Sequence, residues 1–371
     1  MKELAWELCD SSLSQAIRDV TGLHSAKWLA ELRALSRSLK TVSDFPIETI
    51  RQCSAIEQSI GGDSDALLRY YVWLASGCLT TAFVSTQRNA ALRRIETSSN
   101  QALKKSLLPS MVEGNAFVTV GISHLTTSRQ HLSKAPLRAT PAVDGWVLEG
   151  YCPWVTGGCC ADWLVVGAVE SPVELSTLDT DSRSAARELL FAMPVTRTGV
   201  IVETGADLMA LTASATGQVR FENVILNPSE VLHGPVANVM NASGMSGGAG
   251  GLQTSALAIG HSAQAIEYLL LESQTRSDLR DVANCFVDQW QTRITELMAL
   301  AKGEPAPDAG KLRKSANDLA LNSTQAALIA AKGAGFTSEH DVGRWCRESL
   351  FFLVWSCPHM VAQSHLCSFL T

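Results

Sequence analysis

Long apolar runs are absent from this chain of 371 residues. The longest plain apolar run, residues 350–355, falls far short of the roughly 20 residues that span a membrane. Residues 1–7 carry acids where a secretory signal would place basic residues before an apolar run. We therefore expect a cytoplasmic protein without a membrane span.

An excess of positive charge is also absent. The chain has 30 lysines and arginines against 36 acidic residues, which gives a formal net charge of −6. Proteins that bind nucleic acid usually present a basic surface. The charge balance therefore argues against a nucleic-acid partner.

Paired cysteine spacing is the third absence. The ten cysteines are spread along the chain, Cys159 and Cys160 are adjacent, and no C-x-x-C pair occurs. Disulfide scaffolds are shorter and denser in cysteine, and structural zinc sites need paired ligands. We predict no metal site and interpret the cysteines as small buried apolar side chains.

What is present divides the chain into three parts. Residues 1–115 carry apolar side chains spaced by three or four, as in residues 20–39 and 66–92, which is typical of helices. A further helix over residues 103–108 is predicted to end near Pro109. This part is the predicted N-terminal helical domain.

Residues 116–234 have a different pattern. Short β-branched runs alternate with turn residues, and the spacing predicts a small β barrel or sandwich. Residues 171–187 are polar and are predicted to form a loop. From residue 235 to 371 a helical period returns after a glycine-rich, flexible lead-in at residues 243–251. Helices over residues 252–275, 281–301, 312–334 and 339–369 predict a four-helix bundle, so the fold class is α+β. Pro358 is a candidate interruption of the last helix.

The stretch from Gly150 to Gly158 lies between two β runs and contains Trp154, Val155 and Thr156. An indole beside a hydroxyl can form a flat apolar floor with one hydrogen-bonding edge. Such a floor suits a planar heteroaromatic cofactor.

Several motifs carry a resemblance to a known family. Residues 154–156 resemble the flavin-contacting "WIT" stretch of the acyl-CoA dehydrogenase family, and residues 107–114 resemble its "LP…GE" turn. Residues 218–228 resemble its "v.Fe.V.VP" strand, residues 331–336 its "GGxGF" turn, and residues 347–349 the "RDa" of its last helix. The resemblance spans roughly residues 60–371. It implies bound FAD, an acyl thioester or similar substrate, an electron-transfer flavoprotein as a possible partner, and a homodimer or homotetramer.

The resemblance also implies cofactor-binding residues. Trp154, Val155 and Thr156 match the flavin-stacking stretch, and a core role in the barrel is the alternative for Trp154. The family's "TEPxxGSD" segment is replaced by a stretch that begins with Gly121, Ile122 and Ser123, in which the Ser123 hydroxyl can replace that of threonine. His124 is a substrate contact or a loop residue. Arg276 or Arg280 can meet the pyrophosphate, with an exposed helix-end arginine as the alternative.

The usual catalytic base is missing. Counting along the motifs places Ser356 and Gln253 at the two positions where family members carry a glutamate, and Ile329 where they carry a glutamine. Neither a serine nor an amide can serve as a carboxylate base. The catalytic residue is therefore unknown, and three hypotheses stay open. One is an FAD-dependent oxidoreductase acting on a CH–CH bond, and another is a catalytically inactive homologue that binds a ligand or partner. A third is a hydrolase, because residues 244–248 fit G-x-S-x-G around Ser246.

Overall fold

The computed structural model describes residues 4, 11–61, 64–126, 135–171, 187–242 and 251–370. The first part of the chain is helical, as predicted, and its helices are α1 (Ser11–Thr21), α2 (Ser25–Ser38), α3 (Ile47–Ile60), α4 (Ser64–Ala75), α5 (Leu79–Glu96) and α6 (Gln101–Val112).

Three helix predictions in this part were wrong in detail. The periodic stretch 66–92 is divided between α4 and α5, with residues 76–78 outside both helices. The periodic stretch 20–39 is divided at Gly22, whose φ of 70° ends α1 before α2 begins. Helix α6 continues past Pro109 to Val112. Because Lys105 and Pro109 both lie on the solvent side of α6, water can satisfy the carbonyl that the proline leaves without a donor.

The central part forms one mixed sheet of β1 (Val118–Gly121), β2 (Leu137–Ala142), β3 (Gly145–Val155), β4 (Trp163–Glu170), β5 (Arg187–Pro194), β6 (Val200–Val202), β7 (Gly217–Leu226) and β8 (Val231–Ala237). The strands follow the order β6-β7-β3-β2-β4-β5-β8, with β1 parallel to β4. The predicted β module is thereby confirmed. Strands β2 and β8 were not predicted, and β8 continues past the predicted boundary at residue 234. Residues 172–186 of the predicted loop lie outside the described residues.

Residues 219–221 and 224–226, predicted as separate runs, belong to the single strand β7. The two runs are joined at Asn223, which has a φ of 51° opposite a register shift in β3. The backbone N–H of Asn223 donates to the Glu149 carboxylate at 3.1 Å. Asparagine tolerates this left-handed conformation better than most residues, so the strand bulges without ending.

The last part contains α7 (Val239–Ala242), α8 (Gly251–Glu272), α9 (Arg280–Lys302), α10 (Ala309–Ala331), α11 (Asp341–Leu350) and α12 (His359–Cys367). Helices α8, α9 and α10 match three predicted bundle helices within a few residues. The fourth predicted helix, over residues 339–369, is interrupted before Pro358 is reached, because a turn at residues 351–358 separates α11 from α12. The predicted flexible lead-in, with Ser246, lies outside the described residues apart from Gly251.

One apolar core joins the N-terminal helices to the C-terminal bundle. Trp73 of α4 and Trp290 of α9 belong to this core and are almost fully buried. Helices α4 and α8 meet closely at Gly260, where an added Cβ would lie 2.1 Å from the carbonyl oxygen of Val72. A second core fills the sheet around Phe191 and Phe221. The sheet and the bundle therefore have separate cores, whereas the two helical parts share one.

Across the described residues, no helix is long and apolar enough to cross a membrane. The same part of the chain contains no cluster of His, Cys, Asp or Glu that could hold a metal ion. The described cysteines are all free. Interpreting them as buried side chains holds for Cys53, Cys78 and Cys152 but is wrong for Cys159, Cys285 and Cys367, which are exposed.

Candidate active site

A cavity of about 220 Å³ lies where the three parts of the chain meet. Helices α4 and α5 form one wall, the end of β1 and its following turn form another, and the start of α8 with the turn after α11 completes it. Its lining residues include Tyr71, Asn89, Arg93, Arg94, Ile122, Ser123, Trp154, Met240, Gln253, Trp355 and Ser356. Residues from all three predicted domains thus contribute to one site.

Trp154 lies near the end of β3, and its side chain lines the cavity. Its neighbours Cys152 and Val155 are buried, whereas 53% of Trp154 is exposed. A register shift between Cys152 and Val155 lets both turn into the sheet core and leaves Trp154 on the open side. The alternative of a barrel-core tryptophan is therefore wrong, and the indole is available to a ligand.

Thr156, two residues after Trp154, is held in place by hydrogen bonds. Its hydroxyl accepts a hydrogen bond from the Thr216 hydroxyl at 3.1 Å, and its carbonyl accepts one from the Thr119 hydroxyl at 2.7 Å. The residue is buried and is not among those that line the cavity. Gly157 follows with a φ of 67°, and its N–H donates to the carbonyl of Ser214 at 2.9 Å. These bonds tie the backbone after Trp154 to β1 and to the turn that precedes β7.

Ile122 and Ser123 also line the cavity, directly after β1. The Ser123 hydroxyl is buried and has no hydrogen-bond partner among the described residues. A buried hydroxyl without a partner is costly, so an acceptor or donor from a ligand is expected there. Gly121 does not line the cavity. It allows close packing, since a Cβ there would meet the Cys152 sulfur at 3.2 Å.

The two positions where the motifs imply a glutamate both line the same cavity. Gln253 lies in the first turn of α8, and Ser356 lies in the turn after α11 with a φ of 45°. Both positions that the motifs imply for a base therefore line one cavity, and neither residue is a carboxylate. Of the described residues that line the cavity, none is Asp, Glu or His.

The turn that carries Ser356 is held by stacking and by a buried arginine. Trp355 stacks on Phe351 with ring centroids 5.2 Å apart, and it meets the edge of Phe83 at 4.9 Å. Arg313 donates to the carbonyl of Trp355 at 2.9 Å. Burial lowers the pKa of Arg313 to about 9, so it stays charged at neutral pH. The position of Ser356 is therefore fixed from within the bundle.

Arg94 was not singled out from the sequence. It lies on α5, lines the cavity and is only 3% exposed, whereas its neighbour Arg93 is exposed. Burial lowers the pKa of Arg94 to about 10, so its guanidinium is charged at neutral pH. The wall of the cavity thus combines two arginines with no acidic side chain among its described residues.

The remaining predicted residues lie elsewhere. Arg276 follows α8, and its guanidinium donates to the carbonyl of Ala330 at 2.7 Å and contacts Glu272 and Asp278 at 3.6 Å each. It is not among the residues that line the cavity, and its cofactor role stays a prediction. Ile329, beside Ala330, is 76% exposed. His124 is buried, with its ring nitrogen 2.7 Å from the carbonyl oxygen of Gly167, and it too lies outside the cavity lining.

The arrangement of helical domain, mixed sheet and helical bundle around this cavity is the acyl-CoA dehydrogenase fold, as the motifs implied. The chain is 23% identical over 279 residues to the probable acyl-CoA dehydrogenase FadE25 of Mycobacterium tuberculosis, covering 71% of this chain and 69% of that protein. No protein-family model matches the chain.

Solved structures support the same fold over nearly the whole chain. A glutaryl-CoA dehydrogenase from Mycobacterium smegmatis in complex with FADH2 superposes with a TM-score of 0.75 at 15% identity, covering 99% of this chain and 96% of that one. The dibenzothiophene monooxygenase TdsC from Paenibacillus sp. A11-2 superposes with a TM-score of 0.70 at 17% identity, covering 91% and 92%. The fold is thus shared by proteins with different reactions.

Proposed function

We propose that this protein is an FAD-dependent oxidoreductase that acts on a CH–CH bond of an acyl thioester or a related substrate. One observation carries the proposal. A single cavity brings together the exposed Trp154, the Ser123 hydroxyl, which has no partner among the described residues, and Gln253 and Ser356, the two positions implied for a base. The names of the similar proteins, which include acyl-CoA dehydrogenases and one FADH2 complex, support the same proposal.

The residues present fit a flavin ring. Trp154 offers an apolar plane, and Ser123 offers a hydroxyl whose burial is costly without a ligand. When bound, the flavin supplies an acceptor for a hydride. The cavity of about 220 Å³ is too small for a whole dinucleotide, so we expect the adenosine end to lie outside it.

We propose that the adenosine end reaches a second copy of the chain near Arg276. A guanidinium matches a pyrophosphate, and exposed Ile329 lies beside Ala330, the residue to which Arg276 donates. Phe336, in the turn after α10, is also 86% exposed. Exposed apolar side chains beside a basic residue suit an interface between subunits. A homodimer or homotetramer, transfer of electrons to an electron-transfer flavoprotein, and a cytoplasmic location stay proposals.

No residue is assigned to remove the α-proton of the substrate. Gln253 and Ser356 cannot act as carboxylate bases, and no carboxylate or imidazole is present among the described residues that line the cavity. This observation favours a second candidate function, in which the protein is a catalytically inactive homologue that binds the cofactor or substrate without turnover. The chain's own residues can still orient the ligand and exclude water from it.

Purification with the native cofactor tests the proposal. We expect a yellow protein with a flavin spectrum, whose FAD affinity falls about tenfold or more in Trp154→Ala and is largely retained in Trp154→Phe. Tyr151→Ala is the matched control, since Tyr151 lies on the same strand, is 39% exposed and is not among the cavity-lining residues.

Anaerobic mixing of the FAD-bound protein with a panel of acyl-CoAs separates the two functions. Bleaching of the flavin absorbance by a thioester supports the oxidoreductase. Flavin that binds thioesters without bleaching supports the inactive homologue. A protein that takes up no FAD contradicts the oxidoreductase and leaves the inactive homologue that binds a ligand or partner.

A further inference from the structure

Cys159 and Cys160 place two thiols side by side in the turn between β3 and β4. Their Sγ atoms lie 3.9 Å apart. Cys159 is exposed and Cys160 is half-buried, and both are free thiols. A reagent in solution can therefore reach the first thiol, and the second lies in contact with the first.

The turn that carries the two thiols has little space in which to move. The N–H of Cys160 donates to the Gly157 carbonyl at 3.0 Å, which closes the turn. A Cβ at Gly157 would lie 2.9 Å from the Phe45 ring and 2.8 Å from the Phe117 ring. Because the turn is packed this closely, a change of shape at the two cysteines is passed to Gly157 and to the adjacent Thr156.

The two thiols differ in reactivity. Burial and the neighbouring Cys159 raise the pKa of the Cys160 thiol to about 12, so Cys160 stays protonated at neutral pH. The thiolate is the nucleophile in disulfide exchange, and access decides which thiol reacts, so the exposed Cys159 reacts first. Once Cys159 is bonded to another sulfur it carries no charge. Its contribution to the raised pKa of Cys160 then ends, and the second thiol ionises more readily.

We propose that Cys159 and Cys160 are a redox modification site, a dithiol that closes to a vicinal disulfide by exchange with a low-molecular-weight disulfide, RSSR. The Cys159 sulfur attacks one sulfur of RSSR, the S–S bond of RSSR breaks, and one RSH leaves with the proton of Cys159. The Cys160 sulfur then attacks the Cys159 sulfur of the mixed disulfide, and a second RSH leaves with the proton of Cys160. Two protein thiols are thus oxidised to one disulfide, and one RSSR is reduced to two RSH.

A bridge between adjacent residues distorts the backbone around it. Neighbouring Cα atoms are about 3.8 Å apart across a trans peptide, whereas bridged cysteines usually have Cα atoms at least about 4.4 Å apart. Strained disulfides are easily reduced, which makes the modification reversible. The N–H of Gly157 donates to the carbonyls of Ser214 and Ala215 at 2.9 and 3.1 Å. Oxidation is therefore expected to weaken these bonds and to loosen the backbone just after Trp154.

Peptide mass after treatment with oxidised glutathione tests the proposal on the full-length protein. Chymotrypsin cleaves after Trp154 and Trp163, and the peptide 155–163 contains both cysteines of the site and no other. We expect this peptide to lose the mass of two hydrogens, and dithiothreitol to restore it. Glutathione that stays on the peptide, a bridge to another chain or an unchanged mass would each overturn the proposal.

Single substitutions separate the roles of the two thiols. Cys160→Ser keeps the attacking thiol and is expected to retain one glutathione, because no second thiol displaces it. Cys159→Ser leaves the protonated, half-buried thiol and is expected to react at least about tenfold more slowly. Equal rates in Cys159→Ser and the wild type would contradict the order of attack. Cys285→Ser is the matched control, since Cys285 is also exposed but lies on α9, whose sequence holds no second cysteine, and this variant should still form the bridge.

Hydrogen exchange measures the effect of the bridge on the backbone and needs no flavin. We expect the Gly157 amide to exchange at least about tenfold faster in the oxidised protein than in the reduced protein. The same glutathione treatment should leave this amide unchanged in Cys159→Ser. A bridge that forms without faster exchange would overturn the link between the two cysteines and the turn.

FAD affinity gives a further readout, which rests on the proposed function. Loosening of the backbone after Trp154 is expected to weaken FAD binding about tenfold in the oxidised protein, with recovery in dithiothreitol. An affinity that stays the same while exchange is faster contradicts the effect on the flavin. A protein that binds no FAD contradicts the proposed function alone, because peptide mass and hydrogen exchange are measured without it.

Discussion

At the scale of single residues, the cavity is defined by groups that the fold leaves unsatisfied. Trp154 is a large aromatic side chain held in the open, and Ser123 has a buried hydroxyl without a described partner. Folding alone disfavours both arrangements. The apolar surface of Trp154 stays in contact with water, and the Ser123 hydroxyl is removed from water without gaining a described hydrogen bond. Such groups are informative because binding a ligand reverses both costs.

Ser123→Ala is expected to change protein stability and FAD affinity in opposite directions. Without flavin, removal of this hydroxyl, which has no partner in the described part of the chain, raises the free energy of unfolding by about 1 kcal/mol. With flavin, loss of the hydrogen bond weakens FAD binding by about tenfold or less. Urea denaturation and a flavin titration measure the two effects.

Ser54→Ala is the control for this prediction, because the Ser54 hydroxyl is buried and donates to the Ile50 carbonyl at 2.8 Å, away from the cavity. That variant should lose stability and keep its FAD affinity. A Ser123→Ala protein that is destabilised and binds FAD normally would show that the hydroxyl serves the fold.

At the scale of secondary-structure elements, α3 and α5 are joined by a buried ion pair. Glu57 of α3 lies 3.2 Å from Arg88 of α5, and burial raises the pKa of Glu57 to about 7 despite this partner. The folded state therefore holds the Glu57 proton more tightly than the unfolded chain, in which a glutamate keeps its ordinary pKa of 4.5. This contribution to stability is complete below pH 4.5 and is lost as the pH rises through about 7.

Glu57→Gln is expected to remove this pH dependence. Between pH 4.5 and 7, the free energy of unfolding of the wild type should fall relative to the variant, by roughly 3 kcal/mol at most. Urea denaturation over this pH range measures the difference. Subtracting the two curves removes the opposite contribution of buried His261, whose pKa is lowered by burial. Parallel curves would mean that Glu57 is ionised throughout.

The sequence predicted these elements unevenly, for physical reasons. Helices α8, α9 and α10 have a strong apolar period and were located within a few residues. Strand β2 contains Pro141, and β8 contains Gly234 and Pro235, so local preference disfavours strands that pairing with neighbours nevertheless forms. The positions of Trp154, Ser123, Gln253 and Ser356 at one cavity followed from the motifs. Arg94 did not, because contacts distant in sequence decide which of two adjacent arginines is buried.

At the scale of the whole molecule, the N-terminal helices and the bundle behave as one unit. Their shared core contains Trp73 and Trp290, and Arg33 of α2 pairs with Glu267 of α8 at 2.6 Å. If the two parts separated, the apolar surface that they bury in this shared core would be exposed to water. We therefore expect the part before residue 115 and the part after residue 234 to unfold together.

Gly260→Ala tests this coupling. The new Cβ would lie 2.1 Å from the Val72 carbonyl and 2.9 Å from the Ala75 side chain, so α4 and α8 must move apart. We expect a loss of about 3 kcal/mol and a single unfolding transition shifted as a whole. Circular dichroism and tryptophan fluorescence in urea report the two parts together.

Gly333→Ala is the matched control, because a Cβ there meets no atom within 4 Å. Its effect should stay within about 0.5 kcal/mol. Two separate transitions in the wild-type protein would contradict the shared core.

Gln253 determines how small a change in sequence would place a carboxylate in the cavity. Its side chain faces the cavity from the first turn of α8, at a position the motifs assign to a glutamate in some relatives. Glutamine and glutamate codons differ by a single nucleotide, and the two side chains have nearly the same shape. The cavity thus lies one point mutation from holding a carboxylate.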